Sequence, residues 1–143
     1  MNSVIISKAG GPEVLEYIEL KLEEPKADEV TIKNHAIGLN YIDTYHRSGL
    51  YPLTLPSPIG LEGAGEITKV GSDVKDFKVG DKVAYCAAPL GAYSTHRNYP
   101  TKNLVKVPDS VDLETAATLM TKGITTFYLL HKTYPVKSGE DIL

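Results

Sequence analysis

Cysteine and tryptophan are scarce in this chain: its 143 residues include a single cysteine, Cys86, and no tryptophan. One thiol forms no disulfide within the chain and does not build a cysteine-based metal site. Cys86 follows the apolar run 83–85, which favours a buried, unreactive thiol over a catalytic one. The cysteine content therefore excludes a disulfide-stabilised fold and a cysteine-ligated zinc.

The chain also lacks an excess of positive charge and long apolar runs. Its formal net charge is -3 at pH 7 and its basic residues are scattered singly, so we expect no nucleic-acid partner. No apolar run reaches the roughly 20 residues that a membrane span needs, and the first residues do not resemble a signal peptide. We therefore expect a soluble, cytoplasmic protein without a membrane partner.

Short stretches with partial alternation of apolar and polar residues dominate the first hundred residues, and turn-forming residues separate them. This spacing is typical of a compact antiparallel barrel or sandwich. The sequence therefore predicts a mainly β fold with short helices. The predicted strands cover residues 3–8, 14–20, 29–39, 65–70, 82–87, 93–98 and 103–107.

The pattern changes to helical spacing in the last part of the chain. Asp112 precedes apolar residues that recur at steps of three and four, and its carboxylate can accept a hydrogen bond from an early helix amide. We predict one helix from about Leu113 and a second between Gly123 and Pro135. The second run is apolar on more than one face, so we expect residues 124–130 to contact another domain or subunit.

A short segment after the third predicted strand concentrates amide, carboxylate and phenol groups. Polar and aromatic side chains at such a position commonly line a pocket. Asn40, Asp43, Tyr45 and Tyr51 suit a planar, carbonyl-bearing molecule, because amides and phenols donate hydrogen bonds and an aromatic face supports a flat ring. An equally good interpretation is structural, with Asn40 or Asp43 capping a short helix over residues 42–47.

Glu62 lies in an apolar, glycine-rich run, where an ionised carboxylate is costly unless it is hydrogen-bonded or paired. We predict that it bonds to backbone amides or to an arginine such as Arg47, and that it has a structural role. The four histidines have no recognised metal-ligand spacing, and the chain has neither a nucleophile elbow nor a phosphate-binding loop. These absences argue against a metal site, a hydrolase and a nucleoside triphosphatase.

Five stretches of the sequence, taken together, resemble motifs of a known protein family. They are GGPEVL at 10–15, AIGLNYIDTY at 36–45, RSGLY at 47–51, EGAG at 62–65 followed by VG at 70–71, and KGITT at 122–126. Along its whole length the chain resembles the zinc-free quinone oxidoreductases of the medium-chain dehydrogenase/reductase superfamily. It is similar to bacterial NADPH:quinone reductases and to zeta-crystallin.

The resemblance implies a two-part organisation. Residues 1–122 would form a GroES-like catalytic domain, a partly open barrel, followed by two helices that lead to a Rossmann domain. Residues 123–143 would form the connecting helix and the first strand residues of that nucleotide-binding domain. The sequence stops before the family's dinucleotide loop, so we expect a truncated or split protein, or only the front half of a longer one.

The resemblance also implies that no metal is bound. Zinc-dependent relatives have a cysteine where this chain has Asn40 and a histidine where it has Leu61, and neither replacement is a good zinc ligand. The resemblance assigns a role to each candidate site residue. It implies that Asn40 and Tyr45 are catalytic. It also implies that the cofactor is contacted by Asn40, Asp43, Tyr51 and Thr125, and that Lys122 helps to orient the cofactor.

The activity implied is hydride transfer from NADPH to a quinone, with the protein supplying position and a dry pocket. We expect the chain alone to be inactive and to bind NADPH weakly or not at all. Reduction of an enone or enal remains an alternative within the same superfamily. A third possibility is a non-catalytic remnant that binds another protein or a second copy of itself through residues 124–130.

Overall fold

A computed structural model describes all 143 residues, and strands dominate its first 110. The eight strands are β1 (Asn2–Ile6), β2 (Leu15–Glu19), β3 (Glu29–Gly38), β4 (Ser57–Pro58), β5 (Glu62–Val70), β6 (Lys82–Tyr85), β7 (His96–Pro100) and β8 (Val105–Lys106). The two α-helices are α1 (Tyr41–Ser48) and α2 (Leu113–Tyr128), and short 3₁₀ turns cover Pro12–Val14 and Thr101–Asn103.

The strands form two antiparallel sheets that leave the barrel partly open. The smaller sheet has the order β2-β1-β4, and the larger has the order β7-β3-β5-β6-β8. A single bridge between Ser3 and Ser94 connects β1 to the segment before β7. The main hydrophobic core is built mostly by residues of the larger sheet, including the fully buried Ile32, Ile67 and Tyr99. The predicted mainly β architecture with short helices is confirmed.

Each of the seven predicted strands overlaps an observed strand, and the differences lie in the Pro-rich and Gly-rich segments. The two-residue strand β4 falls within the proline-rich residues 51–58, where no strand was predicted. Strand β5 begins at Glu62, three residues earlier than predicted. Its first four residues are all buried, so they carry no alternation for the sequence pattern to reveal.

The C-terminal helical region differs from the prediction of two helices divided at Gly123. Asp112 caps α2 as predicted, accepting a hydrogen bond from the Thr115 amide at 2.7 Å. The helix then continues through Gly123 to Tyr128 and passes into a π-helical segment, Leu129–Thr133. A glycine inside a helix is costly but tolerated, and the sequence pattern alone did not distinguish it from a helix end.

Helix α2 packs on the larger sheet through its first half only. Ala116 and Ala117 are buried against Ala64 and Ala84 of strands β5 and β6. Most of the residues beyond Gly123 are exposed, and this part of the helix carries the exposed apolar side chains Ile124, Phe127, Tyr128 and Leu129. The structure contains no helix that is both long enough and apolar enough to span a membrane.

Candidate active site

The segment that joins β3 to β5 begins with helix α1, in which Asn40 is the N-cap residue and the Asp43 carboxylate bonds back to its amide. The Asp43 carboxylate accepts a hydrogen bond from the Asn40 backbone amide at 3.0 Å, and the Asp43 amide donates to the Asn40 carbonyl at 3.0 Å. The helix ends at Gly49, which has a left-handed φ of 84°. The capping interpretation of the sequence is therefore correct, and it leaves the Asn40 side chain free for another contact.

The Asn40 side chain turns toward the β5 strand and the α2 helix. Its Nδ2 donates to Glu62 Oε2 at 2.7 Å, and its Oδ1 accepts from Lys122 Nζ at 3.1 Å. Asn40 is only 8% exposed. With an acceptor fixed on one end of the amide and a cation on the other, the orientation of the amide is determined, since a flipped amide would face donor to donor.

Glu62 is the centre of this network and is completely buried. Its Oε1 accepts the Thr121 backbone amide at 2.7 Å, and its Oε2 lies 3.5 Å from Lys122 Nζ. The prediction of a hydrogen-bonded structural carboxylate is confirmed for the backbone amide. The predicted partner Arg47 is wrong, because the Arg47 Nε donates to the Gly10 carbonyl instead.

A glycine on β3 makes room for the network. A Cβ atom at Gly38 would come within 2.5 Å of Glu62 Oε2 and closer still to the Ala117 carbonyl of α2. The absence of a side chain therefore lets β3, β5 and α2 approach closely at this point. The network joins three elements that are far apart in sequence.

Aromatic side chains extend the site along helix α1 and the following loop. The Tyr45 ring is 5.4 Å from the Tyr51 ring in an edge-on arrangement, and 6.3 Å from the Tyr41 ring. The Tyr51 amide also donates to the Tyr45 carbonyl. Tyr45 is half-buried, whereas 49% of Tyr51 and 80% of Tyr41 are exposed. This cluster gives a partly accessible aromatic surface on helix α1, the helix that begins at Asn40.

Asp43 lies on the inner side of helix α1. It is 3% exposed, and its Oδ2 accepts a second hydrogen bond, from the Tyr93 hydroxyl at 2.9 Å. Burial, together with the charge of Asp43, raises the pKa of Tyr93 far above its ordinary value, so the phenol stays protonated and donates. The second carboxylate oxygen of Asp43, Oδ1, is buried and has no hydrogen-bond partner.

The predicted site residues therefore fall into three groups. Asn40 and Lys122 meet at Glu62; Tyr45 and Tyr51 pair with each other; and Asp43 supports helix α1 from within. Thr125 lies one turn beyond Lys122 on α2 and is exposed. Sequence reasoning missed the Tyr93 contact, for which the sequence gives no signal, and the Lys122 pairing with Glu62.

The Cys86 thiol lies near the Glu62 carboxylate. Burial, followed by the nearby negative charge of Glu62, raises the pKa of the Cys86 thiol. A thiol with a raised pKa remains protonated near neutral pH and is a poor nucleophile. The structure brings together no group of three or more histidine, cysteine, aspartate or glutamate side chains suited to a metal ion.

Comparisons with known proteins agree with this fold. Residues 26–109 match the family described as the alcohol dehydrogenase GroES-like domain. The chain is 57% identical over 135 residues to a quinone oxidoreductase of Pseudomonas aeruginosa, covering 94% of this chain and 42% of that protein. It is 44% identical over 147 residues to a 2-haloacrylate reductase of a Burkholderia species, covering 99% of this chain and 44% of that protein.

Solved structures give the same result. The quinone oxidoreductase of Escherichia coli complexed with NADPH superimposes with a TM-score of 0.96 at 45% identity, covering 98% of this chain and 43% of that one. The quinone oxidoreductase of Pseudomonas syringae pv. Tomato DC3000 has a TM-score of 0.94 at 56% identity, with coverages of 97% and 43%. The chain thus spans less than half the length of the relatives it matches.

Proposed function

Because this chain belongs to the alcohol dehydrogenase GroES-like domain family, we propose that it is the substrate-side domain of an NADPH-dependent quinone oxidoreductase. The observation that carries the proposal is the Asn40 amide, fixed between Glu62 and Lys122 at the start of the helix that also carries the Tyr45 ring. The relatives named as quinone oxidoreductases, at 57% and 47% identity, support the same substrate class.

Asn40 retains hydrogen-bonding capacity after its internal contacts are counted. An amide side chain has two N–H donors and two acceptor lone pairs, and Glu62 and Lys122 use one of each. The second N–H remains for the carbonyl oxygen of a substrate or of a nicotinamide. Since its direction is set by a buried carboxylate, this donor is preorganised and needs no reorientation when charge develops on that oxygen.

The residues present also fit the nicotinamide cofactor. Lys122 presents a cation whose side chain is 55% exposed, and Thr125 adds an exposed hydroxyl one helical turn away. With Asn40 and Tyr51, these residues would hold the nicotinamide end of NADPH, which supplies the hydride when it is bound. The predicted contact of Asp43 with the cofactor stays a proposal; in the structure its carboxylate accepts a hydrogen bond from the Asn40 backbone amide at the start of α1.

Tyr45 would position a flat electron acceptor and assist its protonation. Its half-buried ring offers a surface for a quinone, and its phenol can donate a hydrogen bond to a quinone oxygen. A quinone becomes aromatic on reduction, so its oxygens take protons from a phenol or from water without the polarisation that an ordinary ketone needs. Asn40 and Tyr45 are therefore our candidates for the catalytic residues.

We also propose the predicted division of the chain into residues 1–122 and residues 123–143. The packed body ends near Lys122, and few of the residues beyond it are even half-buried. In a complete enzyme the exposed apolar face of residues 124–130 would pack against a nucleotide-binding domain. The chain alone would then be inactive and bind NADPH weakly, because the adenine and phosphate contacts belong to that domain. A cytoplasmic location accompanies this proposal, since NADPH is its reductant.

One specific observation favours a second candidate, the reduction of an activated carbon–carbon double bond. The relative that shares 44% identity with this chain is named a 2-haloacrylate reductase. Hydride delivery to carbon uses the same kind of cleft and the same amide donor on the carbonyl or carboxylate oxygen. Helix α1 and the Asn40 network do not distinguish the two substrate classes.

A chimera tests the proposal and separates the two candidates. This chain would replace the matching 42% of the Pseudomonas aeruginosa quinone oxidoreductase, with the unmodified enzyme as the control for folding and activity. We expect NADPH oxidation that depends on a quinone such as 1,4-benzoquinone. A folded chimera that reduces 2-chloroacrylate and not quinones would overturn the first candidate, and one that reduces neither would favour the non-catalytic remnant.

A further inference from the structure

Tyr93 connects the barrel to helix α1 and takes no direct part in the proposed chemistry. It lies half-buried between β6 and β7, and its hydroxyl donates to Asp43 Oδ2 at 2.9 Å. The Tyr93 carbonyl accepts the Val4 amide of β1 at 2.8 Å, and the Tyr93 amide donates to the Ile59 carbonyl at 3.2 Å. The backbone that carries the phenol is therefore held by two separate segments.

The Tyr93 ring packs against Gly60, which lies between β4 and β5. Gly60 has a left-handed φ of 90°, and a Cβ atom at this position would overlap the Tyr93 ring. The Gly60 carbonyl also accepts the amides of Gly91 and Ala92, at 2.9 and 3.1 Å. A ring that lies on bare backbone, in a segment with these hydrogen bonds, has little freedom to move. The Tyr93 hydroxyl is therefore held in a fixed place on the barrel.

Asp43 connects this hydroxyl to Asn40. The oxygen that accepts the Tyr93 hydroxyl, Oδ2, also accepts the Asn40 backbone amide at 3.0 Å. Tyr93 is the only side chain that donates to this carboxylate, and the other oxygen, Oδ1, is buried without a partner. A buried carboxylate is costly to leave without donors. Loss of the phenol would therefore loosen the Asn40 backbone, and with it the side-chain amide that extends from it.

We propose that Tyr93 is a positioning residue: through Asp43 it holds the first turn of α1, and with it the Asn40 donor, in the direction that the reaction needs. The inference rests on the proposed function for its catalytic part only, because the contacts from Tyr93 to Asn40 lie within this chain. A Tyr93 with a purely structural role would add stability without affecting the Asn40 amide. The two roles therefore predict different effects of removing the hydroxyl.

Nuclear magnetic resonance of the 143-residue chain separates the two roles without an activity assay. Tyr93→Phe removes only the hydroxyl. We expect Y93F to shift and broaden the Asn40 side-chain amide signals, and to speed hydrogen exchange of the Asn40 backbone amide about tenfold. Tyr99→Phe is the matched control, because the Tyr99 hydroxyl also makes one hydrogen bond, at 2.8 Å to the Ala87 carbonyl. Y99F should leave the Asn40 signals and exchange unchanged.

Kinetics of the chimera with the Pseudomonas aeruginosa enzyme test the catalytic part. A misaligned donor loses part of its effect in the transition state, so Y93F should lower kcat for quinone reduction about tenfold. The KM values for NADPH and the quinone should change less than about twofold, because the lost interaction belongs to the transition state. Y99F should keep the kcat of the parent. Urea denaturation should show that both variants lose a comparable amount of stability, so that a difference in kcat is not a stability effect.

Unchanged Asn40 signals and exchange in a folded Y93F chain would overturn the proposal, and so would a Y93F chimera with the kcat of Y99F. A parent chimera without quinone activity would instead contradict the proposed function, and the Asn40 signals would still decide whether Tyr93 positions the amide. If Y93F does not fold, the wild-type chain decides. The Tyr93 hydroxyl proton should give a slowly exchanging signal with a nuclear Overhauser effect to the Asn40 amide proton, and the absence of this signal would overturn the proposal.

Discussion

The side chain of Asn40 donates a 2.7 Å hydrogen bond to the carboxylate of Glu62, a residue 22 positions away on another element. The contact is possible because the Asn40 Nδ2 group takes no part in capping helix α1, where the Asp43 carboxylate bonds to the Asn40 backbone amide, and because Gly38 leaves room for the Glu62 carboxylate. The arrangement fixes the direction of an amide that would otherwise have two orientations. The central claim of the account is that this fixed amide serves a carbonyl-bearing substrate or cofactor.

Replacing Glu62 with glutamine tests the buried carboxylate. Glutamine preserves the size of the side chain but places an N–H group against either Asn40 Nδ2 or the Thr121 amide, and it removes the charge that Lys122 faces. Hydrogen bonds to charged groups contribute about 1.5–3 kcal/mol, so we expect E62Q to lower the free energy of unfolding by about 2 kcal/mol. Urea denaturation measures the change.

The matched control is Glu66→Gln, in the same strand but at an exposed position. Surface substitutions commonly change stability by less than about 0.5 kcal/mol, and we expect E66Q to fall within that range. Equal stability of E62Q and E66Q would contradict the importance of the Glu62 contacts.

Two glycine-to-alanine variants should have opposite effects. The Cβ of Gly38→Ala would meet the Glu62 carboxylate and the Ala117 carbonyl, and overpacking of this kind costs about 1–3 kcal/mol. Gly123 has nothing within 4 Å of its Cβ direction and lies inside α2, so G123A should stabilise the protein by about 1 kcal/mol. Thermal unfolding compares the two. A G38A variant as stable as the wild type would mean that β3 and α2 are less closely packed than described.

The buried tyrosines predict a stability limit at alkaline pH. Burial is the first cause that raises the pKa of the Tyr85, Tyr93 and Tyr99 phenols above the ordinary value of 10.0. A raised phenol pKa means that the folded state favours the neutral form. The resulting stabilisation is complete below about pH 10 and is lost as the pH rises toward the folded-state values.

Phenolate absorbance and circular dichroism, recorded in the same alkaline titration, check this prediction. The exposed tyrosines should ionise first, with no loss of structure, and the three buried ones should ionise only as the fold is lost. Ionisation of all nine tyrosines in one step with intact structure would show that the three rings are accessible to solvent.

The exposed end of helix α2 predicts self-association of the isolated chain. Ile124, Phe127 and Tyr128 are each more than half exposed, and neighbouring apolar residues extend this face. Contiguous apolar surfaces of this kind usually mark a contact surface. We expect light scattering to report a mass above that of the monomer at high concentration, and Phe127→Glu to restore the monomer. A monomeric wild type at every concentration would contradict the prediction.

The sequence correctly predicted the strands and the helix start that depend on residues close together in the chain. Alternation located the strands that have one buried face, and Asp112 located the start of α2. The polar segment of residues 40–51 was predicted to hold either a helix cap or a binding surface; the structure confirms the cap, and the binding surface stays a prediction. Local chemistry was sufficient for these features because each depends on neighbours in the chain.

Features that depend on packing between distant segments were harder to predict from the sequence. The Gly-rich start of β5 is buried on both faces and has no alternation, and the continuity of α2 through Gly123 depends on tertiary context. The burial of Glu62 and a bond to a backbone amide were predicted, but the alternative partner Arg47 was wrong, and nothing in the local sequence indicates that the amide is that of Thr121 or that Lys122 approaches.

The most direct test of the central claim is the kinetic effect of Asn40→Ala in the chimera with the Pseudomonas aeruginosa enzyme. Removing one preorganised donor commonly lowers catalysis by two to three orders of magnitude, so we expect N40A to reduce kcat/KM for quinone reduction by about a hundredfold. Asn103→Ala is the control: the Asn103 amide donates to the Ala88 carbonyl and takes no part in the network, so kcat/KM should stay unchanged. A folded N40A chimera with the kcat/KM of its parent would contradict the account.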